Sequence, residues 1–241
     1  MRQLLARNPF DLDDQRLLII ADWLPPDFGA VGQYMQIRAQ ALAERGNEVT
    51  LVGLSSAGGS TVTQARGKGR LTEIRLQAQP VPRASLWRRL AWTAGTNLRL
   101  MAASFGRLRA ADAVLFTGSP PFLIHLLAPL KGLWRGQLIY RITDFHPECL
   151  IAAQDRPSPP LGLLLAVTNF WHRRVKHFEV LGEDQIRRLA STGVAADRIA
   201  LVRDGSPVSF AADEAPLPLP KDLEGACVLL YSGNYGVAHE V

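Results

Sequence analysis

Short, wholly apolar runs alternate along this chain with longer stretches whose apolar residues recur every three or four positions. Residues 17–21 (LLIIA) form the first run, of the kind buried on both faces of a parallel sheet, and Pro25 and Pro26 stop it. After Gly29 and Gly32 a helix is predicted, with Tyr34, Ile37 and Ala41 on one face, Met35 and Leu42 widening the stripe, and Gly46 closing it. Further strands are expected at 48–54, 71–76, 113–117, 138–143, 178–181, 199–203 and 227–231. Helices are expected from about 87 to 108, up to about 131, over 161–177 and over 183–191. Strand, loop and helix in alternation predict an α/β fold with a parallel sheet flanked by helices.

The apolar periodicity between 87 and 108 joins Trp87, Leu90, Ala91, Ala94, Leu98, Met101, Phe105 and Leu108, with Arg88, Arg89, Arg99 and Arg107 off the stripe. Seven arginines and no acid lie between Ile74 and Ala111. Two readings fit: a helix that packs its stripe on the sheet with its arginines in water, or an amphipathic helix resting on an anionic membrane. The helix at 161–177 is basic in its second half, where a helix dipole favours cations, so no ligand is needed to explain it.

Composition narrows the picture only in part. The chain has 241 residues, 47% hydrophobic, and a formal net charge of +5. Its isoelectric point near 9.6 suits an anionic contact without choosing among nucleic acid, phospholipid and nucleotide phosphate. Aromatic residues are not interleaved with the arginines as a nucleic-acid stacking platform needs, so no nucleic acid is expected as a partner. Cys149 and Cys227 lie far apart and lack metal-ligand spacing, so two ordinary thiols in a reduced cytoplasmic chain are expected, and no metal. No apolar run approaches the length of a membrane span.

Candidate chemistry gathers at strand ends. The loop holding Gly29 and Gly32 aims backbone N–H groups and a helix start at one point. It lacks the GxGxxG of a dinucleotide site, and Glu48 stands at the wrong end of the second strand, so nicotinamide chemistry is set aside. At 144–148, Asp144, His146 and Glu148 follow a strand where open α/β sheets place ligands. Asp144 and His146 can serve as acid, base or substrate clamp there, or Asp144 or Glu148 can simply cap the next helix. Residues 207–225, rich in proline and alanine, read as a linker, and 227–231 opens a second strand-and-glycine-loop unit.

Four stretches together resemble the amino-terminal half of a retaining nucleotide-sugar glycosyltransferase of family 4, the GT-B class with two Rossmann-like domains. They are PPDFGAVGQYMQIRAQALAERGNEVTLV, TGSPP, ITDFHPE and LYSGNYGVAHEV. The similarity is strongest to bacterial exopolysaccharide enzymes of the colanic-acid type. Residues 1–16, charged around Pro9 and without a signal-length apolar run, read as a loose leader; the similarity implies a Rossmann-like acceptor-side domain over 17–206, the linker, and the start of a truncated donor-binding domain over 226–241. It implies sugar transfer, with retention, from a nucleoside diphosphate sugar to a polysaccharide or lipid-linked acceptor, without cofactor or metal. The thiols and the arginine-rich helix together give the expected setting as cytoplasmic, peripheral at the inner membrane face through residues 85–109. Gly29 and Gly32 match the first-domain loop, Asp144 and His146 the catalytic stretch, and Gly233, Asn234 and Gly236 the loop that meets the donor diphosphate. Family members often carry a second glycine where this chain has Ala30, and a histidine where it has Thr143. The fragment alone is expected to be inactive, and the alternative is a non-catalytic acceptor-binding or membrane-docking subunit that needs a separate donor-binding partner.

Overall fold

The computed structural model describes residues 12–27, 29–79, 86–154, 156, 158–205, 220–223 and 225–229. The elements in chain order are β1 (Arg16–Trp23), α1 (Ala30–Glu44), β2 (Glu48–Ser55), β3 (Ser60–Arg66), β4 (Gly69–Gln77), α2 (Leu86–Leu108) and β5 (Ala113–Thr117). There follow α3 (Ile124–Leu130), β6 (Gln137–Arg141), α4 (Glu148–Ala152), α5 (Pro159–His172), β7 (His177–Val180), α6 (Glu183–Ser191) and β8 (Ile199–Leu201). The strands form one sheet in the order β3-β4-β2-β1-β5-β6-β7-β8, parallel except that β3 runs antiparallel to β4. This is the expected α/β class, a Rossmann-like parallel sheet with helices on both faces.

The near-continuous apolar strands follow from burial on both faces. Alternate residues Leu17, Ile19, Leu51 and Leu115 pack with Met35, Ala39 and Leu42 of α1, while Leu18, Ile20, Val114 and Phe116 pack with Leu100 of α2, Leu127 of α3 and Leu189 of α6. The buried face of α1 runs through Gly32, Met35, Ala39, Ala41, Leu42 and Ala43. Tyr34 and Ile37, expected at the core, are half-buried beside it. Gly46, at φ +115°, takes the left-handed conformation that lets the chain turn out of α1 into β2.

Two elements depart from expectation. The antiparallel edge strand β3 was not anticipated because six of its seven residues are exposed and it shows no one-sided apolar alternation. The apolar stripe of α2 does not face the sheet as a whole: Leu98 is 59% and Phe105 47% exposed, and Leu90 is also exposed. The sheet-facing side is instead Thr96, Asn97, Leu100, Met101, Ser104 and Leu108. Leu100→Ala should therefore cost about 2–5 kcal/mol while Leu98→Ala stays within about 0.5 kcal/mol. Urea unfolding of both variants checks this, and equal losses would refute the assignment of faces.

Leu12 is buried and Gln15 N–H donates to Asn47 Oδ1 at 2.9 Å, so the loose leader expected over 1–16 gives way to the folded domain by residue 12. Compact units cover Met1–Pro207 and Val208–Val241. In the second, Lys221–Leu223 forms a single 3-10 turn. Residues 227–229 are exposed and without strand structure, and the remainder of the strand expected at 227–231 lies outside the described residues. Both cysteines are free thiols.

Candidate active site

The chain leaves β1 toward β2 on one side and returns at β5 on the other, so the loops after β1 and β5 diverge at the carboxyl edge of the sheet. Such a switch point leaves a crevice, the usual place for a ligand in an open α/β sheet. Its two walls are joined by one bond: Ser119 Oγ donates to Asp22 Oδ2 at 2.6 Å. Burial raises the Asp22 pKa, and the Ser119 hydroxyl and the nearby backbone N–H groups of Asp22, Trp23 and Gly32 oppose that rise. Asp22 Oδ1 is buried without a hydrogen-bond partner among the described residues.

Gly29 caps α1 in extended conformation, and Gly32 lies in the first turn. A Cβ on Gly32 would stand 1.8 Å from the Trp23 carbonyl oxygen. Glycine is therefore needed for close approach of α1 to the end of β1. The N–H of Gly32 lies against the Asp22 carboxyl, so the positive end of α1 already faces an acid of its own chain. The first turn of α1 is thus packed closely against Asp22 and the end of β1.

The β5 loop and the β6 loop are contiguous. Gly118 N–H donates to Arg141 O at 3.0 Å, and a Cβ on Gly118 would lie 3.4 Å from both Asp144 O and Thr143 Oγ1. Asn97 Nδ2 of α2 donates to Pro121 O at 2.8 Å, and Phe122 is held at φ +71°, a strained conformation for a non-glycine residue. Asp144 is exposed, whereas His146 is half-buried with its ring 5.8 Å from that of Phe122. Burial lowers the His146 pKa against the opposing pull of Asp144 and Glu148, so the imidazole is neutral near pH 7. α6 fixes this loop from below: Gln185 Nε2 donates to Thr143 O at 3.2 Å, and Arg188 pairs with Glu148 at 3.3 Å. The position capping α4 is Pro147, with no side-chain cap bond, so Asp144 does not serve as a helix cap.

A second cleft, of about 320 Å³, opens between the loops after β1 and β2, lined by Pro25, Pro26, Ser55, Gly58, Gly59 and Arg75 among others. Arg75 Nη1 donates to Pro25 O and its Nη2 to Glu73 at 2.9 Å, tying those loops together. No group of three His, Cys, Asp or Glu side chains is placed to hold a metal among the described residues.

Thus the structure brings Gly29 and Gly32, through Asp22, to the β5 loop, and sets Asp144 and His146 beside that same loop. Gly233, Asn234 and Gly236 lie outside the described residues. Asp22 and Ser119, which meet in the crevice, were not singled out from the sequence; the available signal was an acid directly after the apolar run 17–21, and a serine within TGSPP.

No family model matches the chain, and no curated protein matches it in sequence. Among solved structures it is similar to CalG4, the calicheamicin glycosyltransferase, at TM-score 0.49 and 14% identity over 79% of this chain and 53% of that one. It is also similar to the glycotransferase of kitacinnamycin (TM-score 0.46, 11% identity, 86% and 55% covered) and to HepE of Anabaena in complex with UDP and glucose (0.44, 12%, 80% and 45%). The chain spans about half the length of each of these proteins. Its own strand order and crossovers make the chain a Rossmann-like α/β domain with its crevice at the β1/β5 switch point.

Proposed function

We propose that this chain is the acceptor-side domain of a glycosyltransferase that moves a sugar, with retention, from a nucleoside diphosphate sugar to a polysaccharide or lipid-linked acceptor at the inner face of the cell membrane. One observation carries the reading. The first glycine loop, TGSPP and ITDFHPE, three stretches quoted for their resemblance to such enzymes, adjoin at one crevice: Gly32 packs close to Asp22, Ser119 donates to Asp22, and Gly118 lies beside Thr143 and Asp144.

The chemistry follows from that arrangement. Exposed Asp144 accepts a hydrogen bond from the acceptor hydroxyl, and neutral His146 beside it offers one ring nitrogen as acceptor and the other as donor. The departing diphosphate and the oxocarbenium-like carbon need preorganised dipoles, the role that the resemblance gives to the loop with Gly233, Asn234 and Gly236. The helix start at Gly29–Gly32 keeps its dipole on Asp22 and shapes the acceptor wall.

The test is to incubate the intact protein with a panel of nucleoside diphosphate sugars and saccharide or lipid-linked acceptors, reading released nucleotide and the anomeric configuration of the product by NMR. Asp144→Asn should lower kcat about 10²–10⁴-fold, and the 241-residue chain alone should turn over negligibly. Unchanged turnover in Asp144→Asn, or an inverted product, would overturn the mechanism. Because α1 spends its dipole on Asp22, the donor site must be completed elsewhere, which also suits a non-catalytic acceptor-binding subunit working with a separate chain. Activity that appears only on adding that second chain would select this reading.

A further inference from the structure

Three helices of one sheet face, α2, α3 and α5, share two properties that neither the core nor the crevice uses. α3 packs against both α2 and α5, and all three lie over the same strand face as the Leu18–Phe116 cluster. The first property is charge: α2, α3, α5 and the segment from Ala113 to Thr143 contain no aspartate or glutamate. Arg88, Arg89 and Arg107 on α2, Arg135 after α3, and Arg173 and Arg174 after α5 form no ion pair with an acid among the described residues.

The second property is an apolar exterior. On α5, Leu163, Ala166, Val167 and Phe170 recur at helical spacing on the solvent side, and Leu163 is 68% exposed. Leu98 and Phe105 project from α2, and Leu133, just after α3, is also exposed. Isolated surface leucines mean little, but three neighbouring helices that each turn large apolar groups outward form an unpartnered face. The Arg174 guanidinium stacks 3.5 Å from the Phe170 ring centre, which sets a cation directly beside an apolar tip.

We propose that this α2–α3–α5 face docks on an anionic lipid bilayer. Leu163, Val167, Phe170, Leu98 and Phe105 enter the interfacial region, and the arginines hold lipid phosphates. Charge selects the occupant: a cationic surface whose three helices carry no acid, the acids of that sheet face lying on α4 and α6, matches a sheet of phosphates, and its protruding side chains suit a deformable apolar medium. No helix among the described residues is long and apolar enough to cross a membrane, so contact is along the surface. The surface reaches well beyond the single helix at 85–109, because α5 carries its most exposed leucine. It rests on the membrane setting proposed above, and a failure to bind vesicles would leave the proposed sugar transfer standing.

The experiment is co-sedimentation of the intact protein with phosphatidylcholine vesicles and with vesicles containing about 30% phosphatidylglycerol, at low and high salt. Binding to the anionic vesicles should be at least about tenfold tighter than to neutral ones, and should fall about tenfold between roughly 0.1 and 0.5 M salt. Leu163→Glu and Leu98→Glu, both at exposed positions, should each weaken binding about tenfold with thermal unfolding unchanged, and each arginine replaced by glutamine about fivefold. Equal binding to both vesicles, no binding, or unaltered binding by the glutamate variants would overturn the proposal. So would a concentration-dependent dimer that Leu163→Glu dissociates, since the face would then be covered by a second copy.

Discussion

Replacing Glu179 with glutamine is expected to destabilise the protein by about 3–5 kcal/mol, the cost of leaving a buried charge without its partner. Glu179 stands on β7, fully buried. Arg38 of α1 grips both its oxygens, with Nη2 2.6 Å from Oε1 and Nη1 on Oε2, and Arg141 at the end of β6 donates to Oε2 at 3.2 Å. Arg141 reaches on to Asp204 Oδ1 at 2.6 Å and Val202 O at 3.3 Å. One carboxylate thus serves two guanidiniums, and Arg141 is itself 1% exposed. Glutamine keeps the shape and a hydrogen bond but removes the charge. Burial alone would raise the Glu179 pKa, yet the attraction and hydrogen bonds of Arg38 and Arg141 hold it below the ordinary glutamate range. A depressed folded-state pKa contributes stability that is present above the unfolded value and is lost as pH falls through the folded one. The native protein should therefore weaken steeply in acid below the usual carboxylate range, and the variant should show a flatter acid limb. Urea unfolding from neutral to acid pH measures both, and a neutral-pH loss below about 1 kcal/mol would refute the assignment.

What could be read from the chain alone follows how far each interaction reaches. Apolar strand runs and the amphipathic α6, predicted at 183–191 and found at Glu183–Ser191, carry their information within a few residues. β3 does not, since an edge strand exposed on both faces has no burial pattern to show. The helix at 87–108 was legible as a helix, but its burial was not. Hydrophobic periodicity finds an apolar stripe and is silent on whether core or solvent receives it, and here polar Thr96, Asn97 and Ser104 take the inner side. The site divides similarly. Asp144 and His146 advertise themselves as titratable residues at a strand end. The Asp22–Ser119 bond joins residues 97 positions apart, and Arg38–Glu179 joins residues 141 apart. Those pairings exist only once the parallel crossovers bring β5 and β7 to their places in the sheet.

The first glycine loop gives the sharpest contrast between two neighbouring positions. Gly32→Ala is expected to cost about 3 kcal/mol or more, because the added methyl meets backbone and cannot be accommodated by a side-chain rotation. Its Cβ would lie 1.8 Å from the Trp23 carbonyl oxygen and 2.6 Å from the Trp23 carbonyl carbon. That carbonyl closes β1, whose register is set by parallel pairing to β2 and β5, so the strand end cannot retreat. The first turn of α1 must lift instead, and Asp22, whose Oδ1 would lie 3.3 Å from the same Cβ, loses its place under the helix. Gly29→Ala meets the Trp23 oxygen only at 3.0 Å and the Trp23 Cβ at 3.2 Å, from an extended φ of −161° that alanine adopts freely. It should cost about 1 kcal/mol or less. Urea midpoints of the two variants read the difference, and equal losses would mean that the close approach of α1 to β1 does not hold. A second readout separates shape from stability. At a temperature where Gly32→Ala is still folded, the glycosyl transfer proposed above should fall by more than its unfolded fraction explains, because the Asp22–Ser119 pair has moved. Transfer that tracks only the folded fraction would make the β1 loop a structural joint with no part in the proposed site.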